Sequence, residues 1–286
     1  MNVDIKARNR MVFFLEYLDA ECRIDLAIDT GIGRSMPTLR ICKGLQFDSW
    51  SPNLRLYNYC ERISESPIWN PVIGFGGDGV LGTYTLPPDP ANTSKILPEY
   101  FYHGCINDGP FADYTIKLGP GLLVTEHCLT RGRNDTFSVY LNSSMISYVL
   151  SFPTFNEFRV KLEGLPQPPD IGPHGGGHVA IGGDMSNYFS SPAGKHFAQK
   201  QPVPAHRLFC LDPLFYLHHT NIDRIWWVWQ EAYPERLYEV AGPTSYTPPY
   251  GNLTLDYPLK MGDVGPTLPV GNVMDIRKEP SCYTYV

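Results

Sequence analysis

The sequence predicts a mainly α-helical protein whose helices are joined by long, irregular loops rich in glycine and proline. Three observations support this fold class. Apolar residues recur with helical spacing over residues 9–22. A capping-box pattern begins at Thr154, and an Asp-Pro pair typical of a helix start lies at Asp212. Between these segments, glycine and proline interrupt any regular period.

The N-terminal part of the chain contains one predicted helix, over residues 9–22. Its apolar face consists of Met11, Phe14, Leu15, Leu18 and Cys22. Residues 23–60 show no clear period, and the run from Leu26 to Ser51 fits neither a helix nor a strand. Residues 66–124 are dense in glycine and proline, which predicts long connections with little regular structure.

Two later helices have recognisable boundaries. The helix that begins at the Thr154 capping box should end near Gly164, because glycine commonly terminates helices. A proline-rich loop follows it. The last helix should begin with Asp212 as its N-cap and Pro213 at its first position. It should run to about Tyr233, and the turn-rich tail after it should wrap the helices.

Composition excludes several classes of protein. The 286 residues carry a net charge of −6 without a basic run, which argues against a nucleic-acid partner. No apolar run approaches the roughly 18 residues of a membrane-spanning helix. No linker separates the helices from the loops that should cover them, so a single domain over residues 1–286 is predicted. The sequence does not indicate an oligomeric state.

Signals for secretion point in two directions. The N-terminus has no signal-peptide pattern. Yet four N-glycosylation sequons, at Asn92, Asn134, Asn142 and Asn252, are typical of a secreted glycoprotein. Cys105 and Cys128 flank a loop-rich stretch and could form a disulfide in an oxidising compartment. The alternative is that both cysteines are buried thiols.

The most informative motif is a pair of histidines separated by three glycines, from His174 to His178. Residues four apart fall on one face of a helix. Three glycines cost about 1 kcal/mol each relative to alanine in a helix, so another interaction must favour the helix there. Metal binding by both imidazoles would do so, and the glycines would admit another helix or a substrate. The alternative is a glycine-rich loop with incidental histidines.

A third imidazole can come from the last predicted helix. One stripe of this helix contains Phe215, His219, Asp223 and Trp226, whereas His218 points about 100° away. We therefore expect His219 to join the pair. Asp223, one turn on, could orient a neighbouring imidazole, and His218 should pack in the interior and bond to the backbone. Three imidazoles without a carboxylate suit copper or zinc.

Two other motif interpretations fail on missing residues. A His-Gly-Gly-Gly sequence also occurs in oxyanion-hole loops of α/β-hydrolases, but this chain has no Gly-x-Ser-x-Gly nucleophile elbow. Zinc proteases require His-Glu-x-x-His, and here Gly175 occupies the position of the glutamate that acts as base. Hydrolytic chemistry at this motif is therefore not predicted.

Residues 174–230 resemble the second copper site of the tyrosinase family of type-3 copper proteins, particularly its fungal branch. The resemblance rests on His-x-x-x-His, on Ile-Gly-Gly-Asp-Met at 181–185, on Ser-Pro at 191–192, and on the Asp-Pro-Leu-Phe-Tyr-Leu-His-His-x-x-x-Asp-Arg-x-Trp-Trp sequence from 212. Weaker likeness covers most of residues 61–286. It implies a tyrosinase-like bundle of four helices with copper between them. It also implies an oxidoreductase that uses dioxygen to convert phenols, o-diphenols or o-aminophenols to quinones.

The resemblance also implies roles for individual residues. His174, His178 and His219 would hold the second copper. The residues that would surround and orient the ligand histidines are Phe215, His218, Asp223 and Arg224. Of these, Phe215 would pack against a ligand imidazole. Gly175 and Val179 would line the substrate pocket. Some family members have an asparagine directly after the first histidine, associated with deprotonation of monophenols. Gly175 at that position favours a catechol or o-aminophenol oxidase over a monooxygenase.

The chain departs from the family pattern at the first copper site. That site needs three further histidines, but only His103 and His127 precede His174, and neither has helical ligand spacing. Asn9 occupies the position expected for the last of them, and the earlier two would fall before Met1. We therefore expect one copper here instead of the two of a complete relative.

Residues 194–211 form a second departure, because family members pass almost directly from Ser-Pro to Asp-Pro. This predicted insertion contains His196 and His206, which we expect at the surface. One hypothesis is a mis-spliced or fragmentary gene product of a longer secreted enzyme, truncated at its N-terminus. The alternative to an oxidase is a catalytically inactive fragment or pseudoenzyme that retains one metal site.

Overall fold

The computed structural model describes residues 62–85, 103–117, 125–164, 170–183, 212–245, 248–261 and 265–285, together with the backbone of 45–46. The predicted helix over residues 9–22, most of the segment 23–60 and the predicted insertion at 194–211 lie outside these ranges. Among the helices of the described part, none has the length and apolar character needed to cross a membrane.

The described ranges contain four α-helices: α1 (Ser143–Leu150), α2 (Phe155–Glu163), α3 (Pro173–Ile181) and α4 (Leu214–Glu231). The capping box that predicted α2 is confirmed. Thr154 Oγ1 accepts from the backbone N–H of Glu157 at 3.3 Å, and α2 ends at Gly164 with φ of 73°. Helix α1, which the sequence analysis did not predict, begins at Asn142, whose side chain accepts from the N–H of Met145.

Helix α4 begins one residue later than the predicted first position. Pro213 is the N-cap residue, yet the Asp212 carboxylate still caps the helix by accepting from Leu214 N–H at 3.0 Å. The helix ends at Glu231, and a 3₁₀ turn (Pro234–Tyr238) follows it. The predicted boundaries therefore agree with the structure: α4 begins one residue after Pro213 and ends two residues before Tyr233.

Irregular connections dominate the rest of the described chain, as predicted. The strands are all two residues long and form four separate pairs: β1 (Leu45–Gln46) parallel to β8 (Tyr283–Thr284), and, antiparallel, β2 (Gly104–Cys105) with β5 (Thr130–Arg131), β3 (Thr115–Ile116) with β4 (His127–Cys128), and β6 (Pro258–Leu259) with β7 (Leu268–Pro269). Further 3₁₀ turns span Ile63–Glu65, Pro67–Trp69, Asp135–Tyr140 and Val270–Val273. A disulfide joins Cys105 of β2 to Cys128 of β4, which resolves the choice between a disulfide and two thiols.

The main hydrophobic core lies between α1, α2 and α4. Phe158 of α2 stacks on Trp229 of α4 with ring centroids 4.8 Å apart, and neither side chain is exposed to solvent. The C-terminal segment contributes Val270, Val273 and Met274 to the same core. The tail thus packs against the helices, as the sequence predicted.

A buried arginine on β5 connects the loops to the start of α4. Arg131 has no exposed surface, and its guanidinium contacts both carboxylate oxygens of Asp212, at 2.7 and 3.1 Å. It also donates to three consecutive backbone carbonyls at 75–77. This arginine therefore fixes the glycine-rich loop 74–79 against the first turn of α4.

Candidate metal centre

Helices α3 and α4 approach closely because glycine leaves space at their crossing. A Cβ atom on Gly177 would lie 2.1 Å from Cε1 of His218, and one on Gly176 would lie 2.6 Å from Cβ of Tyr140. Such distances are impossible for packed atoms, so any side chain at either position would push the elements apart. The expectation that these glycines admit a neighbouring helix is confirmed.

Three imidazoles meet between the two helices. Nε2 of His174 lies 3.1 Å from Nε2 of His178 and 3.1 Å from Nε2 of His219. Nitrogens bound to one tetrahedral metal ion at about 2.0–2.1 Å would be about 3.3 Å apart. All three side chains are buried. The two distances from His174 are therefore close to those expected for nitrogens bound to one metal ion.

The second nitrogen of two of these rings has a partner of its own. Nδ1 of His174 lies 3.2 Å from Oε1 of Glu163, at the end of α2. Nδ1 of His219 lies 2.8 Å from the carbonyl oxygen of Phe215, one turn earlier on α4. Such contacts place the proton on Nδ1 and leave the Nε2 lone pair free for a metal.

The role expected for Asp223 at an imidazole stays a prediction. Nδ1 of His219 has an acceptor within its own helix, the Phe215 carbonyl. The Asp223 carboxylate accepts from two hydroxyls, those of Tyr283 and Tyr285, both at 2.7 Å. The carboxylate of Glu163 contacts the His174 ring. Its helix was predicted from the sequence, but the face it presents to α3 was not.

His218 lies next to this cluster, but its Nε2 atom has another partner. It is fully buried, and its Nε2 lies 2.9 Å from the carbonyl oxygen of His174. His174, His178 and His218 also have ring nitrogens within 4.8 Å of one another, which makes them a second possible triad. We favour His219 as the third member, because its Nε2 makes the 3.1 Å contact with Nε2 of His174. Nε2 of His218 bonds to the main chain, and its Nδ1 is buried without a hydrogen-bond partner among the described residues.

Burial keeps the imidazoles of His178, His218 and His219 neutral. Desolvation, followed by repulsion from the neighbouring rings, lowers the pKa of His178 and of His219 well below the usual histidine value. The same causes lower the pKa of His218 to about 3. A neutral imidazole has a free lone pair, which is the form that binds a transition metal.

The remaining predicted site residues surround the cluster. The ring of Phe215 is 3.9 Å from that of His219, centroid to centroid. Gly175 is buried, and a Cβ atom there would make ordinary contacts of 3.4 Å with Ile171 and 3.7 Å with the Glu163 carbonyl. Val179 and Arg224 are half-buried. The expected roles of Gly175, Val179 and Arg224 stay predictions.

The two histidines that precede α3 have other partners. His103 Nδ1 lies 2.8 Å from a carboxylate oxygen of Asp78. The ring of His127 stacks on Tyr84, and its Nδ1 lies 3.0 Å from the hydroxyl of Thr125. Within the described ranges, the group of residues close enough together to hold a metal consists of His174, His178 and His218, and neither His103 nor His127 belongs to it. Asn9 lies outside those ranges.

Loss of the Glu163 carboxylate should weaken metal binding. We expect Glu163→Gln to reduce copper affinity about 10–100-fold, because the His174 ring loses its orienting acceptor. Competition titration with a chelator of known affinity measures the change. Glu157→Gln, on the exposed face of the same helix, serves as the matched control. Equal affinities in the two variants would contradict a positioning role for Glu163.

The family model for the common central domain of tyrosinase matches residues 76–199 and 204–232, with its break inside the predicted insertion. Tyrosinase P of Aspergillus terreus is 30% identical over 248 residues, which cover 78% of this chain and 64% of that protein. N-acetyl-6-hydroxytryptophan oxidase ivoB of Emericella nidulans is 30% identical over 210 residues, 64% of this chain and 52% of that protein.

A solved structure of a mutant polyphenol oxidase from Thermothelomyces thermophila has the same fold. Its TM-score is 0.60 at 24% identity, and the match covers 98% of this chain and 72% of that one. The predicted mainly helical, tyrosinase-like fold is thus confirmed. The chain spans 64% and 52% of the lengths of the two curated relatives. On the strength of the domain match, the chain belongs to the tyrosinase family of type-3 copper oxidoreductases.

Proposed function

We propose that His174, His178 and His219 hold one copper ion through their Nε2 atoms. The observation that carries this proposal is that Nε2 of His174 lies 3.1 Å from Nε2 of His178 and from Nε2 of His219 within a buried cluster. Imidazole nitrogens suit copper, and the family uses it. We further propose that the protein oxidises small phenolic substrates with dioxygen.

Copper bound at this cluster would supply the redox chemistry, and the protein's own residues do the rest. Glu163 and the Phe215 carbonyl hold the protons on the outer nitrogens of His174 and His219, so both rings keep one orientation. The Phe215 ring covers His219 and shields that side of the cluster from water. His218 secures α4 to α3 through the His174 carbonyl. The protein thereby provides a dry site with fixed donors.

The proposed substrates are o-diphenols or o-aminophenols in preference to monophenols. The Emericella nidulans relative is named for the oxidation of a hydroxylated aromatic ring, which supports a phenolic substrate. Gly175 has no side chain that could accept a phenol proton. Monooxygenase activity is therefore expected to be weak.

An asparagine at position 175 should shift this preference. The space around Gly175 accepts a Cβ atom at ordinary contact distances. We expect Gly175→Asn to raise the ratio of monophenol to diphenol turnover by about tenfold or more. The reason is that the asparagine side chain could help to remove the proton of a monophenol. Oxygen uptake on matched mono- and diphenols measures the ratio. Gly175→Ala controls for the loss of glycine, and an unchanged ratio in Gly175→Asn would contradict the assignment.

Copper content and oxygen consumption together test the proposed function. The purified full chain is loaded with copper, freed of excess ion by gel filtration and analysed for metal. We expect the parent protein to bind one more copper ion per chain than His178→Ala. We also expect it to consume oxygen when catechol is added. Equal copper in both proteins would overturn the metal site. Copper without oxygen uptake would instead support the alternative, an inactive protein that retains one metal site.

A further inference from the structure

One glycosylation sequon lies on an exposed loop with its middle residue anchored in the core. Asn252 and Thr254 are exposed, whereas Leu253 between them is 5% exposed. The Leu253 N–H donates to the carbonyl of Gly242 at 2.7 Å. Within the described part of the chain, no side-chain hydrogen bond engages Asn252. The acceptor amide and the hydroxyl two residues later therefore both face solvent on a fixed backbone.

At two other sequons, the asparagine side chain caps the start of a helix or a 3₁₀ turn. Asn142 is half-buried and caps α1, with Oδ1 accepting from Met145 N–H at 2.9 Å. Asn134 is half-buried and caps the 3₁₀ turn Asp135–Tyr140, with Oδ1 accepting from Thr136 N–H at 2.9 Å. A glycan on either amide would have to fit beside a packed helix start. The sequon at Asn92 lies outside the described residues.

The disulfide supplies an independent observation about the compartment. Cys105 and Cys128 are bonded to each other across two strand pairs. Structural disulfides persist in oxidising compartments such as the endoplasmic reticulum. N-linked glycans are added in that same compartment. A chain that acquires this disulfide there also meets the glycosylation machinery.

We propose that Asn252 carries an N-linked glycan, and that Asn134 and Asn142 remain unmodified. The modifying reaction is a group transfer from a lipid-linked oligosaccharide diphosphate. The Asn252 side-chain nitrogen forms a bond to the anomeric carbon of the sugar and loses one proton. The bond from that carbon to the phosphate oxygen breaks, and the lipid diphosphate leaves. The transfer needs no change of oxidation state.

Paired sequon variants test the proposal in the full chain, directed into the secretory pathway of a eukaryotic host by an added leader. Thr254→Ala destroys the sequon without touching Asn252, and Thr254→Ser retains the sequon as the matched control. We expect Thr254→Ala to lose the mass of one glycan and Thr254→Ser to keep it. Ser144→Ala, which removes the sequon at Asn142 but keeps the cap, should leave the mass unchanged.

Site mapping provides a readout that does not depend on the variants. Peptide N-glycosidase in heavy-oxygen water converts a glycosylated asparagine to labelled aspartate. We expect the label at position 252 and its absence at 134 and 142. An unlabelled Asn252, or equal glycan mass in Thr254→Ala and Thr254→Ser, would overturn the proposal. A label at Asn142 would overturn the argument that capping residues are spared.

Discussion

Replacing His219 by glutamine should abolish tight copper binding, whereas the same change at the neighbouring His218 should not. His219→Gln removes one of the three proposed ligand nitrogens. We expect copper affinity to fall by more than about 100-fold, because losing a ligand costs more than losing a residue that only orients one. His218→Gln keeps a side-chain N–H that can reach the His174 carbonyl. Its copper affinity should stay within about tenfold of the parent value.

Copper titration of both glutamine variants separates the two possible triads. Thermal unfolding of each variant without metal checks that both fold. If His218→Gln is the variant that loses copper while His219→Gln retains it, then the triad of His174, His178 and His218 is the metal site. The proposed assignment of His219 would then be wrong.

Replacing Arg131 by methionine should strongly lower the free energy of unfolding. The change leaves the Asp212 carboxylate at the start of α4 without its cation, and three loop carbonyls lose a donor. Removing one partner of a buried ion pair costs about 3–5 kcal/mol. Urea denaturation followed by circular dichroism measures this free energy of unfolding.

Arg133→Met is the matched control for Arg131→Met. Arg131 and Arg133 both lie over the Trp69 ring, at 5.6 and 5.0 Å from its centroid, and Arg133 is half-buried. We expect its replacement to cost about 1 kcal/mol or less, since a partly exposed cation over a ring contributes little. Similar losses in the two variants would contradict the central role of the Arg131 ion pair.

Local signals explain which parts of the fold could be predicted. The boundaries of α2 and α4 depend on residues within one turn, Thr154 for the first and Asp212 for the second. The sequence spacing of His174 and His178 likewise fixes a shared helix face. Asn142 caps the start of α1 in a comparable way, but this helix was not predicted from the sequence.

Contacts between distant residues explain what could not be predicted. Arg131 and Asp212 are 81 residues apart, and no periodicity links them. Glu163 contacts His174 only because the chain between them folds α2 back against α3. The partner of His219 Nδ1 could not be predicted either. A backbone carbonyl in the same helix competes for the His219 proton, and sequence patterns of side chains do not report it.

The paired tyrosine contacts of Asp223 have a consequence for how the chain matures. Asp223 lies on the helix that carries His219, yet its two hydroxyl donors are Tyr283 and Tyr285, some 60 residues further on. Ribosomes add residues in order, so these donors emerge long after the helix does. The buried carboxylate acquires them only after residues 283–285 have left the ribosome. The metal-bearing helix therefore reaches its final contacts only after about 60 further residues have been made.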